Sequence, residues 1–352
     1  MAVYTERRSF RQNAAHLAAI AVGVCLLFLL ALSLWNLGVT KWQHAHNPVP
    51  GAFYSVDGRQ MHLYCSGAGS PTVVIEAGLG SDWLGWQVVQ PKLSEVTRVC
   101  TYDRSGLGWS ELRSGPRDAE TIARQLHALL DLAGVPRPIV IAGHSAGGLY
   151  VREYARQFPA EIAGAVLVDS SSPQQIDELP ASRASYEAGK RSATSELWHD
   201  RLMVWSGWER LRGGCQETPG KGLQNMAGQY AAQTCRPMFV DGELGEYLDF
   251  ETSAQQAARL TSFGKLPLLI LSADPNVQDK SMSANAIAGR AVWDREQEEL
   301  KSLSPLSWRV IARGSGHKIY QDRPELVLAQ MSIVVNYLRG GQIPPFGSTA
   351  TN

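Results

Sequence analysis

An α/β fold, with a mostly parallel sheet covered by helices on both faces, is what this sequence predicts, and three observations predict it. Short apolar runs rich in β-branched residues alternate with segments of helical periodicity through residues 60–168 and again through 266–338. Between these stretches, residues 173–263 lose the alternation and carry helical patches instead, as an inserted cap does. Hydrophobic residues make up 44% of the 352 and charged residues 19%, enough to fill one large core and too apolar for intrinsic disorder.

The elements follow in order. Residues 17–35 carry no formal charge and are rich in Leu, Ala and Val. At about 1.5 Å per residue they nearly cross a hydrocarbon core of about 30 Å, and residues 36–39 complete the crossing. Arg7, Arg8 and Arg11 precede the run while only Lys41 follows closely. Positive-inside bias then keeps residues 1–16 in the cytoplasm and sends the rest across the membrane. A cleaved signal peptide, and so a secreted product, is the alternative, with Ala31-Leu32-Ser33 as its small-residue site. The run is longer than an h-region of about 7–15 residues, which favours an anchor. Residues 40–51 read as a linker, with His44 and His46 as solvated side chains.

Alternation over 60–65 predicts a strand, closed by a Gly/Ser/Pro turn at 66–71. Strands are expected at 72–76, running into Ala77-Gly78-Leu79-Gly80, and at 97–102, ending at Asp103. Ile122, Leu126, Leu129 and Leu130 give helical spacing over 118–133, with Asp118 as N-cap and Gly134 as stop. A buried strand at 139–142, a helix at 148–158 halted by Pro159, and a strand at 162–168 ending at Asp169 come next. After the cap, strands at 266–272 and 308–312 alternate with helices at 292–303 and 324–338. Pro324 suits the first turn of the last helix and Gly340-Gly341 its end. The core is thus 52–172 plus 264–340, with a flexible tail at 341–352.

Composition also narrows function. Lys+Arg and Asp+Glu are both 33, whereas a nucleic-acid binder shows a basic excess. Cys25 lies in the apolar run; Cys65, Cys100, Cys215 and Cys235 lie beyond it, an even number that suits two disulfides outside the cytosol. Cys215 and Cys235 are the expected pair within the cap, although four cysteines allow three pairings. No Cys/His spacing indicates zinc, and no metal or cofactor is expected. The Gly-rich run Gly143-His-Ser-Ala-Gly-Gly148 lacks G-x-G-x-x-G spacing, which sets a dinucleotide enzyme aside.

That same run carries the chemistry. Gly143-His144-Ser145-Ala146-Gly147 fits G-x-S-x-G, with an apolar strand before it and a helix directly after. Such a strand-to-helix turn lifts Ser145 Oγ into the crevice and aims a helix N-terminus at developing negative charge. Of eight histidines, only His199 and His317 follow Ser145 by more than a turn. His199 lies in the cap; His317 lies in a Gly-rich loop after a strand, where it can act as general base. One oxyanion donor is expected from the Ala146 N–H at the helix start.

Glu76-Ala-Gly-Leu-Gly80, Tyr102-Asp-Arg-Ser-Gly-Leu-Gly-Trp-Ser110, Gly143–Gly147, Ala165-Val-Leu-Val-Asp169 and Gly314-Ser-Gly-His317 together resemble the α/β-hydrolase superfamily over about residues 52–340. The resemblance implies an eight-stranded sheet whose second strand is antiparallel, and a triad in the order Ser, acid, His. It implies the Leu79 N–H as second oxyanion donor, and it makes the strands of Cys65 and Cys100 neighbours, so that these two pair. Trp83 and Trp86, just after the loop of Leu79, are candidates for the acyl pocket, with core packing an equal alternative. For the acid, the common placement after 266–272 falls near Pro275-Asn276, with Asp274 slightly early and Asp279 slightly late. The placement found among lipases, after the preceding strand, falls on Asp169. Asp169 and Asp274 therefore stand as alternatives, in that order. Haloalkane dehalogenases and epoxide hydrolases are also similar but use an Asp nucleophile. The expected function is a membrane-anchored, extracytoplasmic serine hydrolase acting on small esters with apolar acyl groups. An amide or lactone hydrolase, a peptidase, or a non-catalytic protein on the same fold are the alternatives.

Overall fold

A nine-stranded sheet orders the chain, in a computed structural model that describes residues 2–178, 183–216, 219–277, 284–342 and 344–352. Its strands are β1 (Ala52–Val56), β2 (Arg59–Ser66), β3 (Val73–Glu76), β4 (Val99–Tyr102), β5 (Ile139–His144), β6 (Ile162–Val168), β7 (Leu268–Ala273), β8 (Ser307–Ala312) and β9 (Thr349–Thr351). They lie in the order β1-β2-β4-β3-β5-β6-β7-β8-β9. Only β2 runs against its neighbours, and every pairing from β4 to β9 is parallel. The helices of eight residues or more are α1 (Ala2–His46), α2 (Ala119–Leu132), α3 (Gly147–Gln157), α4 (Arg183–Trp205), α5 (Ala227–Thr234), α6 (Pro237–Leu248), α7 (Phe250–Ala257), α8 (Ala284–Glu299) and α9 (Pro324–Leu338).

The central strands are buried along almost their whole length and mostly apolar, because both faces are covered. Ile139 and Ile141 of β5 pack on Leu126, Leu129 and Leu130 of α2. Val140 and Ala142, pointing the other way, share a core with Val327, Met331, Val334 and Val335 of α9. Asp118 caps α2 by accepting the Thr121 N–H at 2.9 Å, and Pro324 sits in the first turn of α9. In the cap, α7 returns to the core: Ser253 Oγ and Gln256 Oε1 accept the Ala119 and Glu120 N–H groups at the start of α2. Disulfides join Cys65 to Cys100, directly opposite each other on β2 and β4, and Cys215 to Cys235 within the cap.

Three expectations change. The sheet has nine strands rather than eight, because the tail expected to be flexible adds β9 to the open edge of β8. The Gly347, Arg309 and Asn352 N–H groups donate to Ser307, Ser348 and Ile311 carbonyls at 2.6–3.0 Å, covering backbone that an edge strand leaves unpaired. The linker expected at 40–51 starts late: α1 runs on to His46, since no Gly or Pro interrupts 40–46, and stops where Pro48 disfavours helix at Asn47. His44, expected in solvent, instead lies against Trp109, with ring centroids 5.0 Å apart.

Candidate active site

The turn from β5 into α3 places Ser145 in the left-handed region, at φ +53°. A non-glycine residue held there costs about 1–3 kcal/mol, which the surroundings must offset. The Ser145 N–H donates to the Val168 carbonyl at 3.1 Å, and its own carbonyl accepts the N–H groups of Gly148 and Ser171, each at 2.9 Å. The flanking glycines are required sterically. A Cβ at Gly143 would fall 2.5 Å from the Gly147 carbonyl oxygen, and one at Gly147 would fall 2.6 Å from that of Glu76.

His317 reaches the same crevice from the loop after β8. Its Nδ1 lies 2.7 Å from Asp169 Oδ2. The imidazole is about half exposed, whereas the carboxylate is buried. Asp169 ends β6 with φ +40° and donates its N–H to the Leu271 carbonyl at 2.6 Å. Its other oxygen, Oδ1, accepts the Ala273 N–H at 2.9 Å and Trp293 Nε1–H at 3.1 Å. Asp274 is placed differently. Its carboxylate accepts the Gly314 and Asn276 N–H groups, both at 2.9 Å, and the Gly314 bond leads in holding its pKa below the usual carboxylate value. Asp274 thus braces the turn after β7 against the His317 loop without touching the imidazole. Asp279 lies outside the described residues.

His144 joins the elbow to that loop. Its Nε2 donates to the His317 carbonyl at 3.0 Å, and the two rings lie 4.6 Å apart. Burial, with His317 beside it, pushes the His144 pKa down to about 3, so the ring stays neutral. Among the described residues no hydrogen bond joins Ser145 Oγ to His317. Free enzymes often hold this contact long and tighten it on substrate.

The loop after β3 closes the other side. A Cβ at Gly78 would lie 3.3 Å from that of Ser145, so the loop runs directly against the elbow. Leu79 packs on the cluster of Ala146, Leu149 and Tyr150. Buried Arg104 fixes this loop by donating to the Ala77, Gly78 and Ser81 carbonyls at 2.6–3.3 Å. It also pairs with Glu76 at 2.7 Å and with Glu246 of α6 at 2.6 Å. Glu246 in turn accepts the Gly80 N–H at 2.9 Å.

Trp83 and Trp86 do not line the cavity beside the His317–Asp169 pair. Both are fully buried: Trp83 meets His62, Tyr64 and Trp109 edge-on, and Trp86 stacks on Tyr320. The short helical segment Trp83–Val88 turns its aromatic face into the core, so their size serves packing. The cavity, about 300 Å³, is lined instead by Asp169, His317, Pro275, Arg290, Trp293 and Gln297 among others. Nothing in the sequence local to α8 links Trp293 to an aspartate 124 positions away. Among the described residues no three His, Cys, Asp or Glu side chains converge as a metal site.

The family model for the alpha/beta hydrolase fold matches residues 71–215. Among curated relatives, the "Probable transporter efuK" of Hormonema carpetanum is 26% identical over 305 residues, covering 76% of this chain; the chain spans only 39% of that relative's length. Among solved structures, an esterase of Thermogutta terrifontis aligns at TM-score 0.58 and 18% identity, over 82% of this chain and 99% of its own. The epoxide hydrolase CorEH aligns at TM-score 0.61 and 18% identity, over 82% and 99%. The family match over residues 71–215, the sheet order with its single reversed strand, and the sharp turn at Ser145 together show that this chain has the α/β-hydrolase fold.

Proposed function

We propose that this chain is a serine hydrolase of carboxylic esters, held to a membrane by α1 with its catalytic domain outside the cytoplasm. The observation that carries this reading is the 2.7 Å contact of His317 Nδ1 with buried Asp169, delivered to the turn that presents Ser145. In this mechanism Ser145 Oγ attacks the ester carbonyl and His317 Nε2 takes its proton. Asp169 keeps Nδ1 protonated and stabilises the imidazolium. The tetrahedral oxyanion faces the N–H groups of Leu79 and Ala146, which among the described residues have no other acceptor. Collapse releases the alcohol, which carries away the proton from His317. Water, deprotonated by His317, then frees the acid from Ser145. A serine at the elbow favours an acyl-enzyme over the aspartyl ester of epoxide hydrolases.

Anchoring is supported by the apolar span at 13–46 and by the arginines before it. Leu32, buried in α1 beneath Gly207 of the cap, would be lost by cleavage after Ser33, so retention fits the packing. The test is turnover of a panel of esters, amides and lactones by the full chain, with Ser145→Ala beside it. Esters should be cleaved, and the substitution should reduce kcat by about 10^4–10^6-fold. A panel in which no ester is turned over, or in which Ser145→Ala keeps its rate, contradicts the proposal.

A further inference from the structure

The cap meets the membrane helix at a defined depth. Leu32, Asn36, Thr40 and Gln43 recur at helical spacing on one face of α1, and that face is docked on the corner after α4. Gly207, at φ +80°, lets this corner approach so closely that a Cβ there would lie 2.6 Å from the Leu32 carbonyl oxygen. Asn36 Nδ2 donates to the Val204 carbonyl at 2.8 Å. Arg210 donates to Asn36 Oδ1 at 2.6 Å, Gln43 Oε1 at 2.9 Å and Thr40 Oγ1 at 3.1 Å. At about 1.5 Å per residue, Leu32 lies about 10 Å inside the far end of the apolar run 17–39. A cap corner seated at Leu32 is therefore level with the outer part of the hydrocarbon core and its headgroup boundary.

The side chains around that corner match the position. Trp198, Leu202 and Trp205 follow one another at helical spacing on α4, and Trp208 and Leu211 bound the short helical segment just beyond the corner. All five are 39–62% exposed. Arg201 lies over the rings of Trp198 and Trp205, 5.0 and 6.0 Å from their centroids, which joins these two tryptophans. Single exposed apolar residues are ordinary on a soluble surface; a cluster of three tryptophans and two leucines is not. Tryptophan favours the headgroup level, and arginine can bury its stem while its charge reaches water.

We infer that the α4 corner of the cap, carrying Trp198, Leu202, Trp205, Trp208 and Leu211, lies in the outer leaflet beside α1 as a second lipid-contacting surface. The inference rests on α1 being a retained anchor. A lipid bilayer, and not a second protein, is the occupant because the corner that carries these residues touches α1 at Leu32 and Asn36 and is held at that depth by its polar contacts. It gives the hydrolase two supports, so that the cap cannot tumble freely about the short segment after His46.

The experiment uses the full chain with Cys25→Ser, carrying one further cysteine at a time: Leu202→Cys or Leu211→Cys in the patch, Leu30→Cys in α1, or Lys265→Cys at the opposite end of the sheet. Each is labelled with an environment-sensitive nitrobenzoxadiazole dye and reconstituted into phosphatidylcholine vesicles with or without a doxyl-labelled lipid quencher. Variants are used only if their thermal melts match the parent. Labels at 202, 211 and 30 should be blue-shifted and lose most of their emission to the quencher, while the label at 265 should do neither. Quenching at 30 but not at 202 and 211 overturns the inference and leaves the anchor standing. Blue-shifted but unquenched labels at 202 and 211 overturn it in favour of a covering protein. No quenching at 30 either overturns the anchor and this inference together.

Discussion

Asp169 and Asp274 sit at the ends of neighbouring strands, yet their oxygens are used differently. Asp169 gives one oxygen to His317 Nδ1 and the other to Ala273 N–H and Trp293 Nε1–H. Asp274 spends both on backbone N–H groups. Asp169→Asn should therefore lower kcat by about 10^4-fold with the fold intact, because the amide favours the wrong imidazole tautomer. Asp274→Asn should keep kcat near wild type; the reverse pattern in ester kinetics would exchange the two roles. His144 yields a pH prediction. The folded chain holds this ring near 3 against an ordinary 6.5, so unfolding takes up a proton between those values. Its contribution is fully present above pH 6.5 and is lost as pH falls toward 3, by up to about 1.4 kcal/mol per unit. Buried Glu76, pushed up to about 7, works with the opposite sign and weakens the fold as pH rises from 4.5. Melting curves of His144→Gln should thus show a shallower acid slope than the parent between pH 6.5 and 4; parallel slopes would contradict this. Ser145 and His317 stand out as candidates in the sequence because a local motif and elimination among few histidines point to them. Trp293 was not, because its partner is fixed only by how α8 lies across the sheet.

At the scale of elements, α9, β6 and the capped α2 were readable to within a residue, since apolar periodicity, Pro324 and Asp118 mark them locally. β1 was missed although Asp57-Gly58, both at positive φ, is the two-residue turn that joins it to β2. β9 carries no such mark: three small residues at 349–351 become a strand only because the edge of β8 lies open to them. The tryptophans after β3 show the reverse limit, since composition cannot tell an aromatic that lines a cavity from one that fills the core. Within the cap, Cys215 and Cys235 close a loop with a sequence separation of 20. In the chain-entropy treatment that cross-link is worth about 3 kcal/mol. The double variant Cys215→Ser/Cys235→Ser should lose about that much stability in denaturant unfolding, and an unchanged midpoint would show that the link contributes nothing to the fold.

Over the whole molecule, the triad candidates come from three loops at the carboxyl ends of β5, β6 and β8, brought together by strand order and not by sequence distance. Arg104 ties the loop after β3 to α6 of the cap, and Arg210 ties the cap to α1, so the cap is held by an arginine on each side. This architecture makes sense if the Ser145 elbow is chemically active. The most direct measurement is covalent labelling of the full chain by a fluorophosphonate, with the adduct located by peptide mass mapping. The adduct should sit on Ser145, vanish in Ser145→Ala, and form far more slowly in His317→Ala. Undiminished labelling of Ser145→Ala, or an adduct mapped to another residue, would contradict the account.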